Sequence, residues 1–243
     1  FVICMITIVI GLIFVFFLSP SDYQQGSMVR IMYIHVPAAW LSLMIFFIMT
    51  IYSIVGLAFR IPFGFIINSA VAPIGATFTL ICLVTGSLWG KPMWGTWWVW
   101  DARLTSVFVL FLMYLLIIFF RRSFSNLEVG EKLTAIFIII SSINLPIIKF
   151  SVDWWNTLHQ PATISKLSKP NIDVSMMVPL ILMTLAFIFI GLSLGCAGFL
   201  GKIIMDYFNE VPVWKEKIST AAQEIADYTT QLQDLTRVKE SAA

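Results

Sequence analysis

The chain has 243 residues, of which 59 % are hydrophobic and only 12 % are charged, whereas an ordinary soluble domain has about 25 % charged residues. Its mean hydropathy of +0.92 and net charge of +2 exclude a soluble globular domain and argue against a polyanionic partner such as nucleic acid. Cys4, Cys82 and Cys196 stand alone in apolar runs, without the C-x-x-C-H pattern of covalent haem attachment.

Six apolar runs approach or exceed the length of about 20 residues that crosses a bilayer. In chain order they are Val2–Leu18, Pro37–Phe59, Asn68–Leu88, Leu104–Phe120, Leu133–Phe150 and Met177–Leu200. The first run lacks the basic flank and cleavage site of a signal peptide, so we interpret it as a membrane helix. We predict an all-α polytopic membrane protein, with a six-helix domain over residues 1–200 and a tail over residues 201–243.

Six spans place alternate loops on opposite sides of the membrane. Loops 19–36, 89–103 and 151–176 share one side, which we call the tryptophan face because eight of the nine tryptophans lie on or beside it. These are Trp40, Trp89, Trp94, Trp97, Trp98, Trp100, Trp154 and Trp155. Aromatic belts occupy both membrane interfaces, so this excess on one side predicts a function there.

Basic residues favour the cytoplasmic side of a membrane. The opposite side has nine, and they are Arg60, Arg121, Arg122, Lys132, Lys202, Lys215, Lys217, Arg237 and Lys239. The tryptophan face has six, and they are Arg30, Lys91, Arg103, Lys149, Lys166 and Lys169. The difference predicts that the tryptophan face is extracytoplasmic.

Both histidines of the chain belong to the tryptophan face. His35 lies in YIHVPAAW and His159 in DWWNTLHQPAT. Each stands two residues before a proline, and the residue preceding proline favours extended backbone. We therefore expect a defined, extended backbone near each imidazole, although a single interfacial histidine is more often only a hydrogen-bonded amphipathic residue.

The segment WGTWWVWD joins the third and fourth predicted helices. On a helix, Trp94, Trp97 and Trp98 would share one face, and Trp97, Trp100 and Asp101 would share an adjacent one. Gly95 permits a tight turn or the close approach of a ligand. Asp101 is also placed to be the N-cap of the fourth helix, and Arg103 could simply anchor that helix in lipid headgroups.

A flat aromatic surface, two imidazoles and several cations suit a flat, apolar, anionic ligand, and haem has these properties. Imidazole is a common axial ligand of haem iron, indole rings can cover a macrocycle, and Arg103 can pair with a propionate. Zinc or non-haem iron held by His35, His159 and Asp101 is a weaker alternative, because no second carboxylate cluster accompanies them.

Residues 92–106, PMWGTWWVWDARLTS, resemble the "WWD" signature of haem-handling membrane proteins. Together with RIMYIHVPAAW and DWWNTLHQPATI, they make the chain similar to the cytochrome c maturation protein C family over roughly residues 1–210. The resemblance leads us to expect a cytoplasmic segment before the first helix and a shorter tail than the one in this sequence.

The resemblance implies a haem-binding and transfer subunit of cytochrome c biogenesis rather than an enzyme. It implies haem b with His35 and His159 as axial ligands, cradled by the WWD segment at about residues 89–104. The corresponding residues are Trp94, Gly95, Trp97, Trp98, Trp100, Asp101 and Arg103. It further implies a periplasmic site in a bacterial inner membrane, with a mitochondrial inner membrane as the alternative.

The resemblance also implies a set of partners. They are the haem chaperone cytochrome c maturation protein E, the ABC transporter formed by cytochrome c maturation proteins A and B, the small membrane protein cytochrome c maturation protein D, and membrane lipids. Nucleic acid is not among them. Two other functions stay open: a membrane haem b redox protein linked to quinone, and a channel that translocates haem.

The tail has an apolar stripe with alternating steps of four and three residues, typical of an amphipathic helix. Its members are Trp214, Ile218, Ala221, Ile225, Tyr228, Leu232 and Leu235. We predict a cytoplasmic helix that lies on the membrane or its own bundle, or else docks a partner such as the transporter ATPase.

Overall fold

The computed structural model describes residues 2–120, 123–124, 126–160 and 172–241, with the side chains at 206–207, 209–212 and 234–241 left out. Over these residues the chain is helical and contains no β-strand. Five helical segments are long and apolar enough to cross a membrane, one of them the interrupted segment Leu127–Trp154, and the shorter apolar helix Val2–Leu18 precedes them. The predicted all-α membrane fold is confirmed.

The helices follow the apolar runs but extend beyond most of them. They are α1 (Val2–Ile13, continued by a π turn at Phe14–Leu18), α2 (Met32–Phe59), α3 (Phe63–Trp94), α4 (Ala102–Phe120), α5 (Leu127–Ser141), α6 (Asn144–Trp154) and α7 (Val174–Ser241). A 3₁₀ turn at Ser27–Ile31 leads into α2. The sequence-based prediction placed the polar ends of these helices in loops, because high hydropathy identifies only the part of a helix that contacts lipid.

Two expectations about local backbone are wrong. His35 and Val36 are helical, because α2 begins at Met32 and carries Pro37 in its interior instead of its first turn. The WWD segment is not one helix: Gly95, with φ +75°, ends α3 and donates its N–H to the Lys91 carbonyl at 3.0 Å. Only glycine takes up this left-handed helix end at low cost. Trp97, Trp98 and Trp100 therefore follow in irregular backbone and share no helical face.

The single predicted helix Leu133–Phe150 is two helices, since a turn at Ser142–Ile143 separates α5 from α6. Pro146 lies in the first turn of α6, where its missing N–H and its ring would disrupt a continuous helix. Asn144, at the start of α6, donates from Nδ2 to the Ser106 carbonyl of α4 at 2.9 Å. This bond fixes α6 against α4.

The core of the bundle lies between α2, α3 and α4. Phe46, Met49, Leu110 and Tyr114 are fully buried there. The Tyr114 hydroxyl donates to the Ser42 carbonyl at 2.7 Å and so joins α4 to α2. At Gly75 of α3 a Cβ atom would collide with the Tyr114 ring, so that glycine lets α4 approach closely.

The chain divides into two compact units, Phe1–Phe199 and Leu200–Ala243, and α7 contributes to both. In the second unit, the apolar side chains of the heptad stripe are exposed where they are described. Trp214, Ile218, Ile225, Tyr228 and Leu232 are 58–67 % exposed. The side chain of Leu235, also predicted in the stripe, lies outside the described residues.

Candidate functional site

A half-open cavity lies at the end of the bundle where α2 begins, α3 ends and α4 begins. It encloses about 950 Å³ of space, part of which is open to solvent, and its wall is mainly apolar. Five of the nine predicted site residues line it, and they are His35, His159, Trp94, Trp98 and Arg103. The other four, Gly95, Trp97, Trp100 and Asp101, lie around it.

The His35 imidazole is held by the backbone of the neighbouring helix. Its Nδ1 lies 3.0 Å from the Cys82 carbonyl oxygen and 3.1 Å from Thr85 Oγ1, both on α3. A carbonyl oxygen can only accept, so Nδ1 must carry the proton and donate it. The neutral ring then keeps the lone pair of Nε2, the form in which an imidazole binds a metal ion.

Gly86 of α3 makes room for the His35 ring. A Cβ atom at Gly86 would lie 2.9 Å from His35 Cε1 and 3.4 Å from Nδ1. Trp89, one turn further along α3, contacts the same ring edge to face, with centroids 5.8 Å apart. Backbone, glycine and indole together fix the position of this imidazole.

The His159 imidazole enters the cavity from the chain that follows α6. Its Nδ1 lies 2.9 Å from the Gln160 carbonyl oxygen, which again makes Nδ1 the donor and leaves the lone pair on Nε2. Burial lowers the pKa of His159 below its ordinary value; the Gln160 hydrogen bond and the charge of Asp101 oppose this shift, and the charge of Arg103 adds to it. His159 is therefore neutral at pH 7.

The two histidine rings are neighbours, although 124 positions separate them in the chain. Their centroids are 6.4 Å apart and their planes are inclined by 35°. In the part of the chain that the structure describes, no third His, Cys, Asp or Glu joins them in a metal-binding cluster. Among these residues, the pair offers two nitrogen ligands.

The tryptophans of the WWD segment divide into two sets. Trp94 and Trp98 line the cavity, and the Trp94 ring folds back over Gly90, where a Cβ atom would lie 2.9 Å from it. Trp97 and Trp100 are 54 % and 73 % exposed. Trp98 Nε1 is buried and, within the described residues, has no hydrogen-bond partner. An unsatisfied donor beside a cavity is suited to an acceptor that a ligand brings.

Asp101 and Arg103 organise the start of α4. Asp101 Oδ1 accepts from the Leu104 N–H at 2.8 Å, so the predicted N-cap is confirmed. Asp101 Oδ2 accepts from the Leu158 N–H at 3.2 Å. Arg103 borders the cavity and donates from Nε to Ser151 Oγ at 2.8 Å, which ties α4 to α6.

Sequence reasoning missed one whole wall of the cavity, the face of α3 that carries Cys82, Gly86, Trp89 and Met93. The steps of four, three and four residues between them were a usable signal, because they define one helical face. The signal was overlooked because the third helix was predicted to end at Leu88. Gln25 was missed too; it lines the cavity and accepts from Trp89 Nε1 at 3.0 Å.

Comparison with known proteins gives consistent matches. The sequence profile of the family described as "Heme exporter protein C" matches residues 1–209. The chain is 49 % identical over 187 residues to Heme exporter protein C of Bradyrhizobium diazoefficiens, covering 77 % of this chain and 71 % of that protein. It is 47 % identical over 175 residues to the protein of the same name from Escherichia coli K12, covering 72 % and 70 %.

A mitochondrial relative is equally similar. The "Putative cytochrome c biosynthesis ccmC-like mitochondrial protein" of Marchantia polymorpha is 51 % identical over 172 residues, which are 71 % of this chain and 72 % of that protein.

Proposed function

The chain belongs to the Heme exporter protein C family, and from this premise we propose that it binds haem between His35 and His159 and passes it on during cytochrome c maturation. The names of its relatives support the role in haem export. The observation that carries the axial assignment is the pairing of two imidazoles, each with Nδ1 bound to a backbone carbonyl and Nε2 left as the ligand atom.

The separation of the rings suits one iron between them. Metal–imidazole bonds are about 2.0–2.1 Å long, so two imidazoles on opposite sides of one ion have centroids about 6 Å apart. The His35 and His159 centroids are 6.4 Å apart. A structural zinc site takes four protein ligands and a catalytic one three, whereas haem iron already has four equatorial nitrogens and needs only two axial ligands.

The wall of the cavity fits the rest of the haem. Trp94 and Trp98 offer apolar rings to the macrocycle, and Gly86 and Gly90 let the His35 and Trp94 rings pack closely against α3 in the cavity wall. Trp98 Nε1 and the Arg103 guanidinium are donors suited to a propionate. The haem would be held as cargo, in the b form, by non-covalent contacts and by the imidazoles of His35 and His159.

Transfer would take place at the rim of the cavity. Trp97 and Trp100 present exposed rings beside it, and exposed aromatic clusters are typical of protein interfaces. We propose that Gly95, Trp97 and Trp100 form the docking edge for the haem chaperone, cytochrome c maturation protein E. Asp101 supports this edge through the start of α4.

The proposed assembly contains the ABC transporter formed by cytochrome c maturation proteins A and B, together with the small membrane protein cytochrome c maturation protein D. The transporter supplies the energy for release, and the chain itself acts as a binding and transfer subunit without catalysis. The proposed location is a bacterial inner membrane with the cavity facing the periplasm; the mitochondrial relative makes the mitochondrial inner membrane the alternative.

A haem b redox protein linked to quinone is the second candidate, because His35 lies inside a membrane-spanning helix. Rapid reduction of the bound haem by a quinol analogue would favour it. Slow reduction, together with haem transfer to a chaperone, would favour the first proposal.

The absorption spectrum of the purified full chain with haem tests the proposal. We expect a six-coordinate, low-spin spectrum typical of two nitrogen ligands, and we expect His159→Ala to convert it to a spectrum with one nitrogen ligand. Added imidazole should restore the original spectrum of the variant. A wild-type spectrum in His159→Ala and in His35→Ala would contradict the axial assignment.

Haem affinity should depend on pH in a defined direction. The pKa of His159 is lowered by burial, so its ligand nitrogen stays unprotonated below the ordinary histidine value of about 6.5. We expect constant affinity from pH 8 to about pH 6.5 and a decrease only at lower pH, where protons compete for Nε2. As the pH falls, His159 is protonated in the unfolded chain at a higher pH than in the folded chain. The free energy of unfolding of the haem-free protein should therefore also decrease below about pH 6.5. Haem titrations at a series of pH values measure the change in affinity. In His159→Ala, this decrease in affinity below about pH 6.5 should be absent.

A further inference from the structure

We propose that Asp101 is a positioning residue for His159, in that one of its carboxylate oxygens caps α4 while the other holds the chain next to the histidine. The first bond, from the Leu104 N–H, is 2.8 Å long, and the second, from the Leu158 N–H, is 3.2 Å long. This inference rests on the proposed function, since it gives Asp101 a role in presenting an axial ligand.

The start of α4 is a firm support for such a contact. Arg103 donates to Ser151 Oγ of α6 at 2.8 Å, and Asn144 of α6 donates to the Ser106 carbonyl of α4 at 2.9 Å. Both donor–acceptor pairs join the first turns of α4 to α6, the helix that leads to His159. A carboxylate at the cap of α4 therefore stands at a fixed distance from the end of α6.

Within the described residues, few hydrogen bonds hold the segment from Asn156 to Gln160. The helix α6 ends at Trp154, and Trp155 is extended, with φ −133° and ψ 156°. Thr157 Oγ1 and His159 Nδ1 bind carbonyls within the same segment. Among the hydrogen bonds found for residues 156–160 and the rest of the described chain, the Leu158–Asp101 bond alone leaves the segment. This bond holds Leu158, the residue immediately before His159.

An ionised carboxylate is the side chain that can do both tasks. Its two oxygens only accept hydrogen bonds, and both partners here are backbone N–H donors. Asparagine has one accepting oxygen and one donating NH₂ group. Asp101→Asn can therefore accept from the Leu104 N–H or from the Leu158 N–H, but the other N–H then faces a donor. Serine keeps a cap oxygen and lacks the second acceptor altogether.

Hydrogen exchange in the haem-free protein tests the contact itself. We expect Asp101→Asn and Asp101→Ser to speed exchange of the Leu158 amide at least about tenfold, while the amides within α4 keep their protection. The matched control is Asp153→Asn, which also removes one negative charge that acts on Arg103, and it should leave Leu158 unchanged. Unchanged exchange at Leu158 in both Asp101 variants would overturn the proposal.

A double-mutant cycle in haem affinity tests the role. We expect Asp101→Asn to lower the affinity about tenfold, within the range for residues that orient a metal ligand, and to shift the spectrum toward that of His159→Ala. In the His159→Ala background, Asp101→Asn should change the affinity less than about twofold, because the imidazole that Asp101 positions is absent. In the His35→Ala background the tenfold effect should persist.

Equal losses in all three backgrounds would mean that Asp101 serves haem binding in another way, and would overturn the proposal. If the wild-type chain bound no haem, the proposed function would fail, but the exchange experiment would still decide whether Asp101 holds the His159 segment.

Discussion

Replacing His35 by alanine is expected to lower haem affinity by about 100-fold or more. Loss of a residue that only orients a metal ligand costs about 10–100-fold, and loss of the ligand itself should cost at least as much. His35 should matter more than His159 because its ring is fixed from three sides, by the Cys82 carbonyl, Gly86 and Trp89. Titration of the purified full chain with haem, followed by absorption, measures the effect.

The control for His35→Ala is Met44→Ala, on the same helix. Met44 is 44 % exposed and does not line the cavity, so this variant should bind haem like the wild type. Alanine favours the helix at either position, so helix α2 should persist in both variants. Wild-type affinity in His35→Ala would show that the iron is held elsewhere.

Replacing Gly86 by alanine is expected to lower haem affinity about 10–100-fold, the range for residues that orient a metal ligand, although Gly86 would not itself touch the iron. The added methyl group would lie 2.9 Å from His35 Cε1, closer than carbon atoms can approach. The ring must then turn away from its hydrogen-bond acceptors, the Cys82 carbonyl oxygen and Thr85 Oγ1. The ring would then lose its present position beside the His159 ring. Haem titration and the ligand-field spectrum measure the loss.

Gly191→Ala is the matched control for Gly86→Ala. Gly191 is a helical glycine of α7 whose added Cβ would meet Phe78 Cε2 at 3.5 Å, an ordinary contact. Alanine in a helix interior is more stable than glycine by about 0.5–1 kcal/mol. This variant should be at least as stable as the wild type and bind haem equally well. If Gly86→Ala behaved in the same way, the glycine would have no role in placing His35.

Residue patterns were sufficient to predict the membrane helices of this protein, one helix cap and its family. The apolar runs predicted the membrane helices, because the bilayer requires long apolar segments whose backbone hydrogen bonds are satisfied internally. Asp101 before Ala102-Arg103-Leu104 predicted the N-cap of α4, because a cap is a local interaction between residues three apart. The WWD motif and the two histidine segments indicated the family, which the profile match and the relatives confirm.

Irregular backbone and the ends of helices were harder to predict from the sequence. The helical arrangement expected for Trp94, Trp97 and Trp98 was wrong because Gly95 ends α3 between them. Likewise, Val36 is helical despite the proline that follows it. The first error is local, because Gly95 favours the left-handed conformation that ends a helix. In the second, the preference of the residue before proline for extended backbone is outweighed within α2.

The membrane class, the approximate spans and the residue types at the tryptophan face could all be predicted from residue order, because they depend on composition and local spacing. Three contacts could not: the 6.4 Å separation of His35 and His159, the place of Gly86 against one imidazole, and the bond from Asp101 to Leu158, which is 57 residues away. Such contacts follow from how the helices pack and where they end. Periodicity assigns a residue to a face, but close packing of the helices selects its partner on that face.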